Sequence, residues 1–525
     1  MLTAMTERAC LEALAGRYLP APTEDCPVFA EDSEWIPYVD GVDYFAEVAA
    51  LLARVGAGDA VLVAGLQVSP DLDLHGLREG DSGYRALADV LAEKAHDGAD
   101  VRVLLSGGVV SGGLTWLPGV GPFRANVEAA RRMRGWVPST RDTGRPPLRD
   151  RVLLDWSGAL IGSNHQKIVL VRIDGEVTAF VGGLDLALDR HDEAPHDRMR
   201  LGSERWGWHD AAVRLRGPAA ERVWEVYRYR WGVAAALPRR YWMLSMGGMG
   251  VLNPPLRPLT LPAAPRQAPR SAPGTSVTVV RSFNPWAIDS VRLLRRVRRP
   301  GLPAAGVHEV FTTLSGAIDG ARHYVYVEDQ YLKEMPGGGW RHTLYGPLRR
   351  AARRGVRIVL VGSGKRDPAD GGRADLPAVL TSDLRWRVVG RLPREVRRNV
   401  VMYRVRDLTV HTKVVLVDDA FACIGSANFF GRSMVGTDTE LSSALVTTGP
   451  AVRDLRVRLW AEHLRTSVDA ELRPHLEDLD TALGVWRRDW LPPGADPDTW
   501  RRDGHPGGFA PTERVLVPVR YSRST

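Results

Sequence analysis

Apolar residues along this chain fall into two alternating rhythms. The segment from Asp43, "DYFAEVAALLAR", spaces them three and four apart, as a helix burying one face does, and "AVLVAGLQVS" from Ala60 is an apolar run of strand length. The same order returns with "EVFTTLSGAIDGA" from Glu309 before "YVYVEDQYL" from Tyr324. Next, "YRALADVLAEKAHDGADVRVLL" from Tyr84 and "LYGPLRRAARRGVRIVLVG" from Leu344 each predict a helix, a glycine exit at Gly98 or Gly355, and a buried strand. Each half then predicts a β-hairpin: "HQKIVLVRID" from His165 returns through "AFVGGLDL" from Ala179, and "HTKVVLVDD" from His411 returns through "FACIGSANF" from Phe421. An amphipathic helix closes each half, "AAERVWEVYRYRW" from Ala219 and "AVRDLRVRLWAEHL" from Ala451.

Helices alternating with apolar strands, written twice, predict an α/β protein of two similar α/β/α-layered domains. The expected boundaries are an N-terminal extension 1–39, a first domain 40–236, a Pro/Gly/Met-rich linker 237–275, a second domain 276–500 and a C-terminal tail 501–525. Pseudo-two-fold packing of the halves would bring the two His-x-Lys strands to one shared site.

With 44% hydrophobic and 25% charged residues the chain has the composition of a soluble globular protein, and its 525 residues favour two or more domains and are enough for an enzyme. A formal charge of +8 favours an anionic partner: a phosphodiester, a phospholipid surface or nucleic acid. Arg-rich stretches such as "LLRRVRR" from Leu293 are equally well explained as solvated faces. Cys10, Cys26 and Cys423 have neither metal-type spacing nor an even count for a disulfide scaffold. No stretch reaches the roughly 18 apolar residues of a membrane span, and the first residues lack the form of a secretory signal, so the expected address is the cytoplasm. The segment "YWMLSMGGMGVL" from Tyr241 is a candidate peripheral membrane contact.

On a strand, alternate side chains share a face, so each half offers one imidazole and one ammonium together: His165 with Lys167, and His411 with Lys413. Two lysines flanking two imidazoles suit a tetrahedral phosphodiester. One histidine attacks phosphorus, the other protonates the leaving oxygen, and the lysines stabilise the nonbridging oxygens. That chemistry requires no cofactor and no metal, and no metal-binding motif is present.

These strands, with "GSAN" after the second, resemble the paired HxKxxxxD motifs of the phospholipase D superfamily. "VGGLDLALDRHD" from Val181, "WHDAAVRLRGPA" from Trp208, "YVEDQYL" from Tyr326, "GSANFFGRSM" from Gly425 and "LWAEHL" from Leu459 resemble its two-motif, lipid-acting branch. The resemblance implies the phospholipase D fold and a shared site, with His165 as nucleophile, His411 as general acid, and Lys167 and Lys413 on the phosphate. It implies substrate contacts from Ser426, Asn428, Asp185, Glu328 and Gln330. It also implies an acid downstream of each motif that orients the imidazole: Asp210 in the first half and Glu440 in the second, with Asp438 competing for His411. The expected activity is phospholipid hydrolysis or phosphatidyl transfer by a chain that works as a monomer. Alternatives are a cardiolipin-synthase-like transferase, a nuclease, or an inactive lipid- or nucleic-acid-binding relative.

One departure stands out. The second motif ends at Asp418, whereas the first has Arg172 there and reaches an acid only at Asp174. A strand two residues longer keeps Asp174 on the face of an acid at 172, so the expectation is a hairpin lengthened at its tip, with Asp174 and Asp418 as structural counterparts and Arg172 peripheral.

Overall fold

A computed structural model describes residues 2–21, 32–107, 121–140, 144–155, 157–158, 162–194, 196, 207–236, 261–270, 274–288, 296–330, 342–363, 388–405, 408–429, 431–463, 473–486 and 516–518. The segment from Tyr241 and Cys26 lie outside these residues. No described helix is long and apolar enough to cross a membrane.

Strands of the first half are β1 (Glu34–Val39), β2 (Ala60–Gly65), β3 (Asp100–Ser106), β4 (Val152–Asp155), β5 (Lys167–Ile173), β6 (Glu176–Gly182), the short β7 (Gly207–His209) and β8 (Ala211–Arg216). All but β7 form one sheet in the order β1-β8-β6-β5-β2-β3-β4. The second half contributes β9 (Thr275–Phe283), a small hairpin β10 (Trp286–Ile288) and β11 (Arg296–Arg298), β12 (Val307–His308), β13 (Tyr324–Asp329), β14 (Arg357–Ser363), β15 (Val400–Val405) and the short β16 (Leu408–Val410). It continues with β17 (Lys413–Val417), β18 (Phe421–Gly425), β19 (Glu440–Thr447) and β20 (Leu516–Pro518). Its sheet runs β12-β9-β19-β18-β17-β13-β14-β15-β20, and without the two edge strands this order repeats the first sheet position by position.

The described α-helices are α1 (Leu2–Tyr18), α2 (Gly41–Arg54), α3 (Leu87–His96), α4 (Gly121–Arg134), α5 (Pro218–Ala236), α6 (Glu309–Gly320), α7 (Tyr345–Arg353), the single turn α8 (Gly431–Met434), α9 (Ala451–His463), and the short α10 (Arg473–Glu477) and α11 (Leu479–Val485). Among the described residues of each half, the neighbours that run parallel are β2-β3-β4 and β13-β14-β15, and a parallel neighbour demands a crossover: α3 lies between β2 and β3, α4 between β3 and β4, and α7 between β13 and β14. Helices α3 and α7 leave through a left-handed glycine, Gly98 at φ 100 and Gly355 at φ 92.

Central strands β2, β13, β17, β18 and β19 are buried at every position, which accounts for the apolar runs of β2, β18 and, after Lys413, β17, while β13 and β19 also bury the charged residues Glu328, Asp329 and Glu440. One apolar cluster joins Leu170, Trp224 and Tyr227 of the first half to Tyr326, Leu416 and Trp460 of the second, so the halves share a core as the layers of a single domain do.

The hairpin tips resolve the unequal motifs. Strands β5 and β6 join through Asp174 and Gly175, at φ 52 and 83, and β17 and β18 through Asp418 to Ala420. The Asp418 carboxylate accepts the backbone N–H groups of Arg322, His323 and Tyr324 at 2.7, 2.8 and 2.8 Å, and the Tyr18 hydroxyl of α1 at 3.0 Å. It thus pins its hairpin to the corner between α6 and β13. At the corresponding corner between α2 and β2, Arg172 donates to the Gly58 carbonyl at 2.7 Å, while Asp59 accepts from Gly56 and Asp174 N–H at 2.8 and 3.2 Å. The same corner is tied in both halves with donor and acceptor exchanged. Asp174 is therefore not the counterpart of Asp418: its side chain is exposed, and Arg172, half-buried near Trp224, carries the tie.

Losing three amide bonds to a carboxylate, Asp418→Ala should destabilise the protein by about 2–4 kcal/mol, and Asp174→Ala by less than about 1 kcal/mol. Thermal midpoints of the two variants check the order.

Candidate active site

Each motif histidine enters the site by pairing with the opposite half. The N–H of His165 donates to the Thr439 carbonyl at 2.9 Å, and Thr439 N–H donates to Ser163 at 2.8 Å. On the other side β16 runs parallel to β7, and His411 N–H donates to the His209 carbonyl at 2.7 Å. The residue that follows Thr439 is Glu440, and the residue that follows His209 is Asp210. The acids consequently reach across: His165 Nδ1 lies 3.1 Å from Glu440 Oε2, and His411 Nδ1 lies 2.6 Å from Asp210 Oδ2.

This corrects the expected pairing of each imidazole with an acid of its own half. Asp438, the competitor for His411, is instead held by Ser163 and Arg432. Gly183 shows how closely Asp210 is packed, since a Cβ there would stand 2.0 Å from its carboxylate.

The lysines follow from strand alternation. Lys167 Nζ donates to the His165 carbonyl at 2.8 Å and lies 3.4 Å from Asp185 Oδ2; Lys413 Nζ donates to the His411 carbonyl. Both histidines and both lysines are more than nine-tenths buried. Burial brings the Lys413 ammonium down to about 8 and the Asp210 carboxyl up to about 7. Burial, then the cations Lys413, Arg190 and Lys167, hold His411 well below the usual imidazole range. A charge-bearing anion in this space would offset those cations.

Other residues named from the sequence take different places. The Ser426 hydroxyl is spent on Glu440 at 2.5 Å, and its carbonyl lies 2.9 Å from His165 Nδ1, so Ser426 backs the histidine. Glu328 is fully buried, accepting from Tyr326 and Thr412 at 2.6 Å and lying 2.8 and 2.9 Å from His209 and His463, so both its oxygens are engaged by protein partners. Although burial pushes its carboxyl up, His463 and His209 hold it well below the usual range. Asp185 also accepts from Gln67 N–H at 3.0 Å, which makes it the counter-ion and anchor of Lys167. Asn428, at the same place in the second hairpin, is buried with an unpartnered Oδ1. Gln330 is buried at the end of β13.

Three contributors escaped the sequence reading. Arg190, nearly buried, sets its guanidinium carbon 3.4 Å from the Trp208 ring centre, and that ring centre lies 5.1 Å from the centre of His411. Ser433 donates to the second oxygen of Glu440 at 2.6 Å. Asp329 accepts Phe429 N–H at 2.9 Å and draws the Lys413 ammonium by its charge.

The class is that of duplicated α/β proteins with one site between the halves. A family model described as "Phospholipase D" matches residues 53–343, and one described as "Cardiolipin synthase, PLD-like domain" matches residues 314–458. The chain belongs to the phospholipase D superfamily. It is 24% identical to phospholipase D alpha 3 of Arabidopsis thaliana over 440 residues, 63% of this chain and 52% of that protein. With phospholipase D A of Dictyostelium discoideum the identity is 24% over 511 residues, 83% of this chain and 36% of that one. The chain thus spans about half the length of these relatives or less. Its fold resembles phosphatidylserine synthase of Haemophilus influenzae Rd KW20, with a TM-score of 0.52 and 13% identity over 87% of this chain and 90% of that one.

The crossed pairing has a spectroscopic signature. In protein with 15N-labelled histidine, Asp210→Asn should displace the ring resonances of His411 and leave those of His165 in place, and Glu440→Gln should do the reverse. Same-half effects would overturn the assignment.

Proposed function

We propose that the chain is a phospholipase D-type phosphodiesterase that cleaves phospholipids by two displacements through a phosphohistidine on His165. The observation that carries this reading is the crossed pair of imidazole–carboxylate contacts, which engages Nδ1 of each ring with an acid of the opposite half, while the Lys413, Arg190 and Lys167 charges act on His411. At His165 Nδ1 both neighbours, Glu440 and the Ser426 carbonyl, are acceptors. Nδ1 therefore carries the proton and Nε2 the lone pair, the form a nucleophile needs.

A phosphodiester anion lying between Lys167 and Lys413 offsets the cations that depress His411, and His411 gains its proton as substrate binds. In the first step His165 Nε2 bonds to phosphorus, the bond to the leaving alcohol breaks, and His411 protonates that oxygen. Glu440 stabilises the cationic phosphoimidazole ring, and the two ammonium groups stabilise the nonbridging oxygens. In the second step His411 takes a proton from water as its oxygen bonds to phosphorus, and the nitrogen–phosphorus bond breaks. An alcohol in place of water gives phosphatidyl transfer by the same step.

Mixed phospholipid vesicles with ethanol should yield phosphatidic acid and phosphatidylethanol by mass spectrometry; the appearance of neither would sink the proposal. His165→Ala and His411→Ala should each lower turnover by at least about 1000-fold, and the double variant little further, because the two act as one unit. Enzyme quenched with denaturant at alkaline pH should carry an acid-labile, base-stable phosphoramidate on the His165 peptide; label on the His411 peptide would reverse the roles.

The pH dependence follows from Lys413. Its charge is present below about 8 and lost above it, so kcat/KM should fall as pH rises through about 8. Lys413→Arg, which keeps the charge, should move that limb upward even where kcat is reduced; an unmoved limb would assign it to another group.

A further inference from the structure

His209, whose carbonyl receives His411, belongs through its side chain to a second cluster that the proposed reaction does not use. Its Nδ1 lies 2.9 Å from Asp40 Oδ1 and 2.7 Å from Glu462 Oε1. His196 Nε2 lies 2.9 Å from the same Glu462 oxygen and 3.6 Å from Asp40 Oδ2. Two imidazole nitrogens and two carboxylates thus converge, their donor atoms all within 4.8 Å of one another. Asp40, His196 and His209 come from the first half, and Glu462 from α9 of the second. The side chains are 4%, 6%, 0% and 10% exposed respectively.

The far side of each imidazole carries a further carboxylate. His196 Nδ1 is 2.9 Å from Asp192 Oδ2, and His209 Nε2 is 2.8 Å from Glu328 Oε1. This is the arrangement that surrounds ligating histidines: one nitrogen faces the ion, while a carboxylate on the other fixes tautomer and ring orientation. The backbone is bent to produce it. Among the described residues, five other than glycine have positive φ; Asp174, Asp418 and Asp419 are at hairpin tips, and the other two are Asp40 at φ 65 and His196 at φ 61. Gly207 makes room for the second bend, since a Cβ there would stand 2.5 Å from that of His196.

We propose that Asp40, His196, His209 and Glu462 form a closed four-ligand zinc site that clamps the two halves together. Mixed imidazole and carboxylate donors select a zinc-class ion, whereas calcium and magnesium take six or more oxygens or keep several waters. Four protein ligands leave no open position, so the ion is structural and stands apart from phosphoryl transfer.

Elemental analysis of the purified full chain should find about one zinc per chain. Removing it with a chelator should lower the thermal midpoint by about 5 °C or more, with zinc restoring the value and calcium or magnesium failing to. His196→Asn should bind none and melt with the stripped protein, while the reconstitution series on the unaltered chain stands even if that variant fails to fold. Less than about a tenth of a zinc per chain, with no shift when zinc is added to stripped protein, would overturn the proposal and leave the cluster a protonated ion network. Restoration by calcium would overturn the choice of ion. Because none of these readouts is catalytic, the result is independent of whether the proposed phospholipid reaction is found.

Discussion

Two backbone hydrogen bonds crossing between the halves, from His165 to the Thr439 carbonyl and from His411 to the His209 carbonyl, set the register on which the site depends. A slip of one residue in either would turn Glu440 or Asp210 to the opposite face and leave a buried carboxylate without its imidazole, an uncompensated charge costing several kcal/mol. The register is held by the apolar cluster the halves share, and Gly183, whose missing side chain leaves room for the Asp210 carboxylate, lets the acid sit at that place.

Within that frame the halves solve one electrostatic problem differently. Each lysine is aimed by donating to the carbonyl of its own motif histidine. The first takes its counter-ion from the return strand, at Asp185, whereas the second has Asn428 there and is balanced by Asp329 of the neighbouring strand. A neutral amide with an unpartnered oxygen in one half and a committed carboxylate in the other break the two-fold symmetry beside the lysines. A perfectly symmetric pair of halves would give the two imidazoles identical surroundings.

Much of this was legible in the chain. Apolar spacing revealed the elements and their repetition, because strands buried on both faces read as unbroken apolar runs; period-two alternation placed each histidine and lysine together. The partner acids were not legible, since His165 and Glu440 are 275 positions apart, and His411 and Asp210 201, and only packing of the halves decides which acid meets which ring. Ser426 and Glu328 were misplaced for a related reason: motif membership says nothing about which side of the imidazole a residue stands on. The Arg172 and Asp418 difference read as a change of hairpin length, whereas physically it is an exchange of donor for acceptor against a corner whose own polar groups the motif does not record.

The crossed acids also determine when reactivity arises. A chain emerging in order from the ribosome presents His165 and Lys167 long before Glu440 has been synthesised, and Asp210 before there is a His411 to receive it. During that interval His165 lacks the carboxylate that meets its ring, and Asp210 lacks the imidazole it receives. The crossed pairs thus come into being only when the second half folds onto the first, so the site is assembled last.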